Sequence, residues 1–196
     1  GHLVRVGDEV RVLARDKKRP PEKIYLLVKK PVGIITTSDR RKKDNIIDFV
    51  GSSERVFPVG RLDVQSSGLL LLTNDGVLAN RLLHPRYEHE KEYVVEVDRV
   101  ISKKDLGRLQ NGVELDDGTT LPTKVRLMDE HRFAIILREG RNRQIRRMCE
   151  ALGYEVVKLM RTRIGTLNIP TSYPVGSVRR LTQGEVRDLY KLVGLI

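Results

Sequence analysis

An α+β fold, with a mixed and mostly antiparallel sheet flanked by helices, is what this sequence predicts. Lys91–Val97 alternates like a half-buried strand, with Tyr93, Val95 and Val97 on one face. Asp75–Leu83 and Asn142–Leu152 instead carry apolar residues at helical spacing. The two kinds of segment follow one another without a regular βαβ alternation, which argues against a parallel doubly wound sheet.

The elements are justified in chain order. Residues 3–13 (LVRVGDEVRVL) read as two short strands about a Gly7-Asp8 turn, too small to bury a core. Residues 15–22 (RDKKRPPE) read as a charged, proline-bearing linker, and the main domain is placed at 23–196. Ile24–Lys29 and Val32–Thr37 read as strands joined at Pro31, and Asp44–Val50 as a short helix. Leu69–Thr73 is a buried strand, and the Asp75–Leu83 helix stops before Pro85. Ser102 caps a helix to Leu109. Hairpin-like segments follow, with turns at Asp116-Asp117-Gly118 and Asp129-Glu130-His131. In the helix over Asn142–Leu152, Ile145, Met148, Cys149 and Leu152 form the apolar stripe and Gly153 ends it. Val156–Ile164 is a strand. Thr182-Gln183-Gly184-Glu185 is a capping box that opens a last helix reaching about Val193.

Composition narrows the function. The 196 residues carry a net charge of +11, from 37 Lys+Arg against 26 Asp+Glu, which points to a polyphosphate partner, nucleic acid above all. The charge is uneven: Arg138–Arg163 holds eight basic residues and three acidic ones. Trp is absent and aromatics are few, so no multi-base stacking platform is evident. No apolar run is long enough to span a bilayer. A single cysteine, Cys149, fits a reducing cytoplasm. His2, His84, His89 and His131 are scattered and no Cys/His group has zinc spacing, so no metal is expected.

Three motifs could carry chemistry. Asp63, in Phe57-Pro58-Val59-Gly60-Arg61-Leu62-Asp63, sits in a loop between two apolar runs, a usual place for a catalytic carboxylate. On spacing alone, a turn aspartate that caps the backbone is the commoner explanation. Lys91 and Tyr93 share one strand face, where a phenol could stack on a base; a tyrosine packed in the core beside a surface lysine explains the same spacing. Arg141-Asn142-Arg143-Gln144-Ile145-Arg146-Arg147 opens a helix with arginines able to grip phosphates, and reads equally as a solvated basic face.

Taken together, GRLDxxxxGLLLLTNDG, then HEKEY, then EGRNRQIRRM resemble the RsuA/RluB/RluE/RluF group of rRNA pseudouridine synthases, in order and over nearly the whole chain from about Tyr25. The strings DNIIDFV, RVFPVGRLD and RRMCEALGYEV are most similar to its RluF branch. The opening VRVGDEVRV resembles the last strands of the small alpha-L RNA-binding domain of ribosomal protein S-four type. Its helical body is missing here, so residues 1–14 are expected to be the remnant of that domain in a truncated chain.

The resemblance implies the pseudouridine synthase fold with a central catalytic cleft, and a cofactor-independent, metal-free isomerase. Its substrate would be a stem-loop or bulged uridine of ribosomal RNA, foremost 23S rRNA near the peptidyl-transferase region. A sister enzyme acting on 16S rRNA and a non-catalytic rRNA-binding assembly factor are the alternatives. Asp63 maps onto the catalytic aspartate, Tyr93 onto the tyrosine that stacks on the target base, and Arg146 onto the basic residue paired with the aspartate. If Asp63 and Arg146 form a buried pair, losing Arg146 costs roughly 3–5 kcal/mol. Arg61, Lys91, Arg141, Arg143, Arg147, Lys158, Arg161 and Arg163 are the candidate grips on the RNA backbone. A cytoplasmic monomer without an obligate protein partner is expected.

Overall fold

The computed structural model describes residues 22–170 and 172–196. The expected domain remnant at 1–14, and all of the linker except Glu22, lie outside the described residues.

The strands are β1 (Tyr25–Lys30), β2 (Phe57–Val59), β3 (Ser67–Thr73), β4 (Lys91–Val97), β5 (Lys124–Leu127), β6 (Arg132–Leu137), β7 (Val156–Ile164), β8 (Leu167–Asn168) and β9 (Val178–Arg180). The helices are α1 (Ile46–Val50), α2 (Gly76–Leu83), α3 (Lys103–Asn111), α4 (Gln144–Ala151) and α5 (Gln183–Leu192). One sheet runs β5-β6-β4-β7-β3-β1-β9, with β2 beside β3 and β8 beside β7. Its one parallel pairing among the described residues is β3 with β7, so the sheet is mixed and mostly antiparallel as expected.

Side-chain alternation on β1 and β3 explains why a run such as Leu69-Leu70-Leu71-Leu72 is a strand. Leu27, Leu69 and Leu71 enter one core with α2 and α5, whereas Leu26, Val28, Leu70 and Leu72 enter another with α1. Both faces of these central strands are covered, hence the unbroken apolar run. A third core joins β4, β6 and β7 to α3 and α4. Tyr93 borders both the α1 core and the α3–α4 core.

Helix starts follow their caps. Asn45, Asp75, Ser102 and Thr182 each accept a backbone N–H from their own first turn, and Thr182 with Glu185 completes the capping box. Val32–Thr37 is not a strand. It makes only a bridge between Ile35 and Asn45, because its polar groups brace the Asp63 loop instead. The Asp116–Gly118 turn closes on Leu115 but has no strands at its sides, whereas Asp129–His131 does join β5 to β6. The helix expected from Asn142 begins at Gln144, after Arg143 takes a left-handed φ of 47°. β2, β8 and β9 are three, two and three residues long, too short to announce themselves; β2 holds Pro58 and pairs on one side only.

The parallel seam has a stringent requirement at Gly68. Its φ is +110°, and an added Cβ would lie 2.2 Å from the Arg161 carbonyl oxygen and 2.6 Å from the Arg161 nitrogen. Both contacts are backbone, so no rotamer change relieves them. Gly68→Ala is therefore expected to destabilise the chain by about 3–5 kcal/mol, measured by chemical denaturation.

Asp75 ties β1, α2 and α5 together. Its buried carboxylate accepts from Tyr25 (2.9 Å) and Tyr190, pairs with Lys23 (3.0 Å), and caps α2 through the Leu78 N–H. Burial raises its pKa, but hydrogen bonds from Tyr190, Lys23, Leu78 and Tyr25 outweigh burial and hold it at about 2. A depressed carboxylate stabilises the fold fully above its unfolded value, near 4, and loses that contribution as pH falls through about 2. Asp75→Asn is expected to remove ~2 kcal/mol at pH 7 and little near pH 2, as read from denaturation curves across that range.

Candidate active site

Asp63 lies in the loop between β2 and β3, and that loop is held from four directions. Gly60 turns it with a φ of +76°. Buried Thr36 donates to the Leu62 carbonyl (2.8 Å) and accepts the Leu62 N–H (3.3 Å). The Gly33 N–H donates to Val64 (2.8 Å), and the Ser66 N–H closes back on Asp63 (3.0 Å). Two guanidiniums complete the hold. Arg161 donates to the Arg61 carbonyl (3.3 Å) and Arg146 to the Gln65 carbonyl (2.9 Å), two residues before and two residues after Asp63.

The half-buried Asp63 carboxylate, by contrast, takes part in no hydrogen bond or ion pair among the described residues. A turn aspartate that caps the backbone would accept a nearby N–H, and this one does not. Its electrostatic surroundings are cationic. Lys30 is fully buried, with Nζ donating to the carbonyls of Pro31 (2.9 Å) and Ile34 (2.8 Å). Burial pulls the Lys30 pKa down to about 8, Asp63 works in the opposite direction, and Arg161 adds to the lowering. Arg146 also feels Asp63: burial and Arg143 work against its charge and Asp63 supports it.

The expected buried ion pair between Asp63 and Arg146 is not formed. Arg146 spends its donors on the carbonyls of Val156 (3.0 Å) and Gln65, joining β7 to the loop, and its Nε is buried without a partner. Tyr93 stands on β4 opposite Arg161 of β7, half-buried. Lys91, on the same strand, donates weakly to the His89 carbonyl (3.4 Å); burial, then Arg161, lowers its pKa. Electrostatic coupling thus links Lys30 with Asp63 and Arg161, Arg146 with Asp63, and Lys91 with Arg161, while Tyr93 pairs with Arg161 across β4 and β7.

The candidate RNA grips divide. Arg61 and Arg143 are exposed beside the Asp63 loop. Arg161 does not face solvent: it is 3% exposed. Arg141 pairs with Glu139 and Asp117, and Arg147 with Asp116 and Asp117. Lys158 pairs with Glu96, and Arg163 with Glu90 and Glu92. Their charge is spent on neighbouring acids first. Among the described residues no group of His, Cys, Asp or Glu could hold a metal ion, and no helix is long and apolar enough to cross a membrane.

Sequence reasoning missed Lys30 and His89. Lys30 ends an apolar strand before Pro31, a position where a lysine usually reaches water. His89 is buried, its ring stacked on Tyr87 at 5.7 Å. The buried side-chain atoms without a partner among the described residues are Ser66 Oγ, His89 Nε2, Arg146 Nε and Arg161 Nη2. All four lie on the Asp63 loop, its two guanidinium holders or the lead into β4.

Comparison with known proteins shows the family. The chain is 43% identical over 195 residues to the dual-specificity RNA pseudouridine synthase RluF of Escherichia coli K12, covering 98% of this chain and 67% of that protein. It is 39% identical over 200 residues to the ribosomal large subunit pseudouridine synthase B of Bacillus subtilis, covering 98% and 81%. A crystal structure of a pseudouridylate synthase superposes with a TM-score of 0.79 at 32% identity, over 86% of this chain and 74% of that one. The RNA pseudouridylate synthase family model matches residues 24–151. The chain therefore belongs to the RNA pseudouridylate synthase family and is an RNA pseudouridine synthase.

Proposed function

We propose that this chain converts a uridine of ribosomal RNA, foremost 23S rRNA near the peptidyl-transferase region, to pseudouridine, with Asp63 as the residue that acts on the nucleoside. The observation that carries the reading is a carboxylate on an immobilised loop: the backbone on both sides of Asp63 is held, yet the side chain makes no hydrogen bond or ion pair among the described residues. Such a group is preorganised for a substrate rather than for the fold.

The net chemistry breaks the C1′–N1 bond, forms C1′–C5, places a proton on N1 and releases the C5 hydrogen to solvent. The base must leave its stack for this to happen, which favours a loop or bulge over paired A-form RNA. Tyr93, at the junction of two cores and opposite Arg161, is the ring proposed to stack on the extruded base. Arg61 and Arg143, exposed on either side of Asp63, are the proposed contacts to the flanking phosphates. Residues 23–196 are proposed to carry the whole catalytic domain. The large-subunit assignment is supported by the name of the Bacillus subtilis relative.

The test is tritium release from rRNA transcripts carrying 5-tritiated uridine, followed by mapping of the modified nucleotide. Release with the product mapped to 23S rRNA is expected. Release only from 16S rRNA would move the substrate to the small subunit, and none from any RNA would leave a binding protein.

A further inference from the structure

β7 places Arg161 against two strands at once: register sets it opposite Gly68 of β3 and Tyr93 of β4. The side chain is 3% exposed. Nε donates to the Leu69 carbonyl at 2.8 Å and Nη1 to the Arg61 carbonyl at 3.3 Å, while Nη2 has no partner. No carboxylate pairs with it among the described residues. A buried guanidinium without a counter-ion is costly, so an arginine here needs a reason beyond filling the space.

The destination of its bonds supplies one. The Arg61 carbonyl lies two residues before Asp63, and the Gln65 carbonyl, two residues after, is held by Arg146 from α4. Guanidiniums from two different elements thus fix both shoulders of the loop, in addition to the bonds that Thr36 and Gly33 make to it. We infer that Arg161 is a positioning residue, which sets the Asp63 carboxylate against the nucleoside by holding the Arg61 carbonyl. The inference rests on the reading that Asp63 acts on the substrate. It departs from a phosphate-gripping role, since a side chain sealed between β3 and β4 cannot follow the RNA backbone.

The experiment measures kcat and KM by tritium release, RNA affinity by filter binding, and the melting temperature, for the full chain and for Arg161→Met, Arg161→Lys and Asp63→Asn. Arg161→Met leaves two carbonyls without their donor and is expected to melt within about 8 °C of the parent and to bind RNA within about 2-fold. Its kcat is expected to fall ~100-fold, the scale of a 1 Å misplacement at a reacting centre. Arg161→Lys keeps the charge but has a single ammonium for two carbonyls, so it is expected to recover less than about a tenth of the lost rate. If the Met variant does not fold, the Lys variant carries the test. An unchanged kcat in the folded variants, or a raised KM at full kcat, would overturn positioning. Full activity in Asp63→Asn would instead overturn the reading on which it rests.

Discussion

Asp63→Asn abolishes isomerisation while leaving the fold and RNA binding in place: kcat is expected to drop at least ~10⁴-fold. The substitution keeps the volume of the side chain and removes only its charge and its capacity to attack or take a proton. Stability should stay within about 1 kcal/mol, because the carboxylate accepts no hydrogen bond among the described residues whose loss could be felt. The loop itself is fixed through main-chain groups, by Thr36, Gly33, Arg146 and Arg161, and none of these bonds changes with Asn. Single-turnover tritium release, filter binding and thermal melting on one preparation separate the three quantities. A variant that retains more than about a tenth of the rate would place the chemistry on another group. A variant that loses stability along with activity would show that the carboxylate is part of the fold after all.

Much of the scaffold was legible because local signals agreed with the tertiary environment. β4 and β7 have the bounds that alternation and flanking turns suggest, and Thr182 caps α5 as its sequence requires. Asp63 does not stand out on spacing, where a turn aspartate is the commoner explanation; the resemblance of GRLD and its neighbouring motifs to a family marks it. The remainder depends on partners far along the chain. The Asp116 and Asp117 carboxylates that neutralise Arg147 lie 31 and 30 residues away, so a basic run reads as free charge until the fold is known. Arg161 and Arg163 look alike in KLMRTRI, but register irregularities between β4 and β7 spoil strict alternation and seal only the first of them inside. Lys29 and Lys30 read as the polar end of a strand, yet β1 is flanked by β3 and β9, and both lysines turn to main-chain carbonyls instead of water.

Replacing Arg146 tests how a cation serves the site without touching the aspartate. A direct buried ion pair would make Arg146→Ala cost roughly 3–5 kcal/mol, because a carboxylate would be left buried and unpaired. No such pair exists here. What the variant loses is two bonds to carbonyls, on Val156 and on exposed Gln65, the latter reachable by water. The expected loss of stability is therefore only about 1–2 kcal/mol. Activity should suffer far more, by ~10²–10³-fold, since the variant frees the C-terminal shoulder of the Asp63 loop. Arg146→Lys, lacking a fork to bridge β7 and the loop, is expected to recover no more than about 10-fold in rate. Denaturation curves and steady-state kinetics on both variants check this. A stability loss above about 3 kcal/mol, or an unchanged kcat in the folded variants, would mean that Arg146 works chiefly as a strut for the fold.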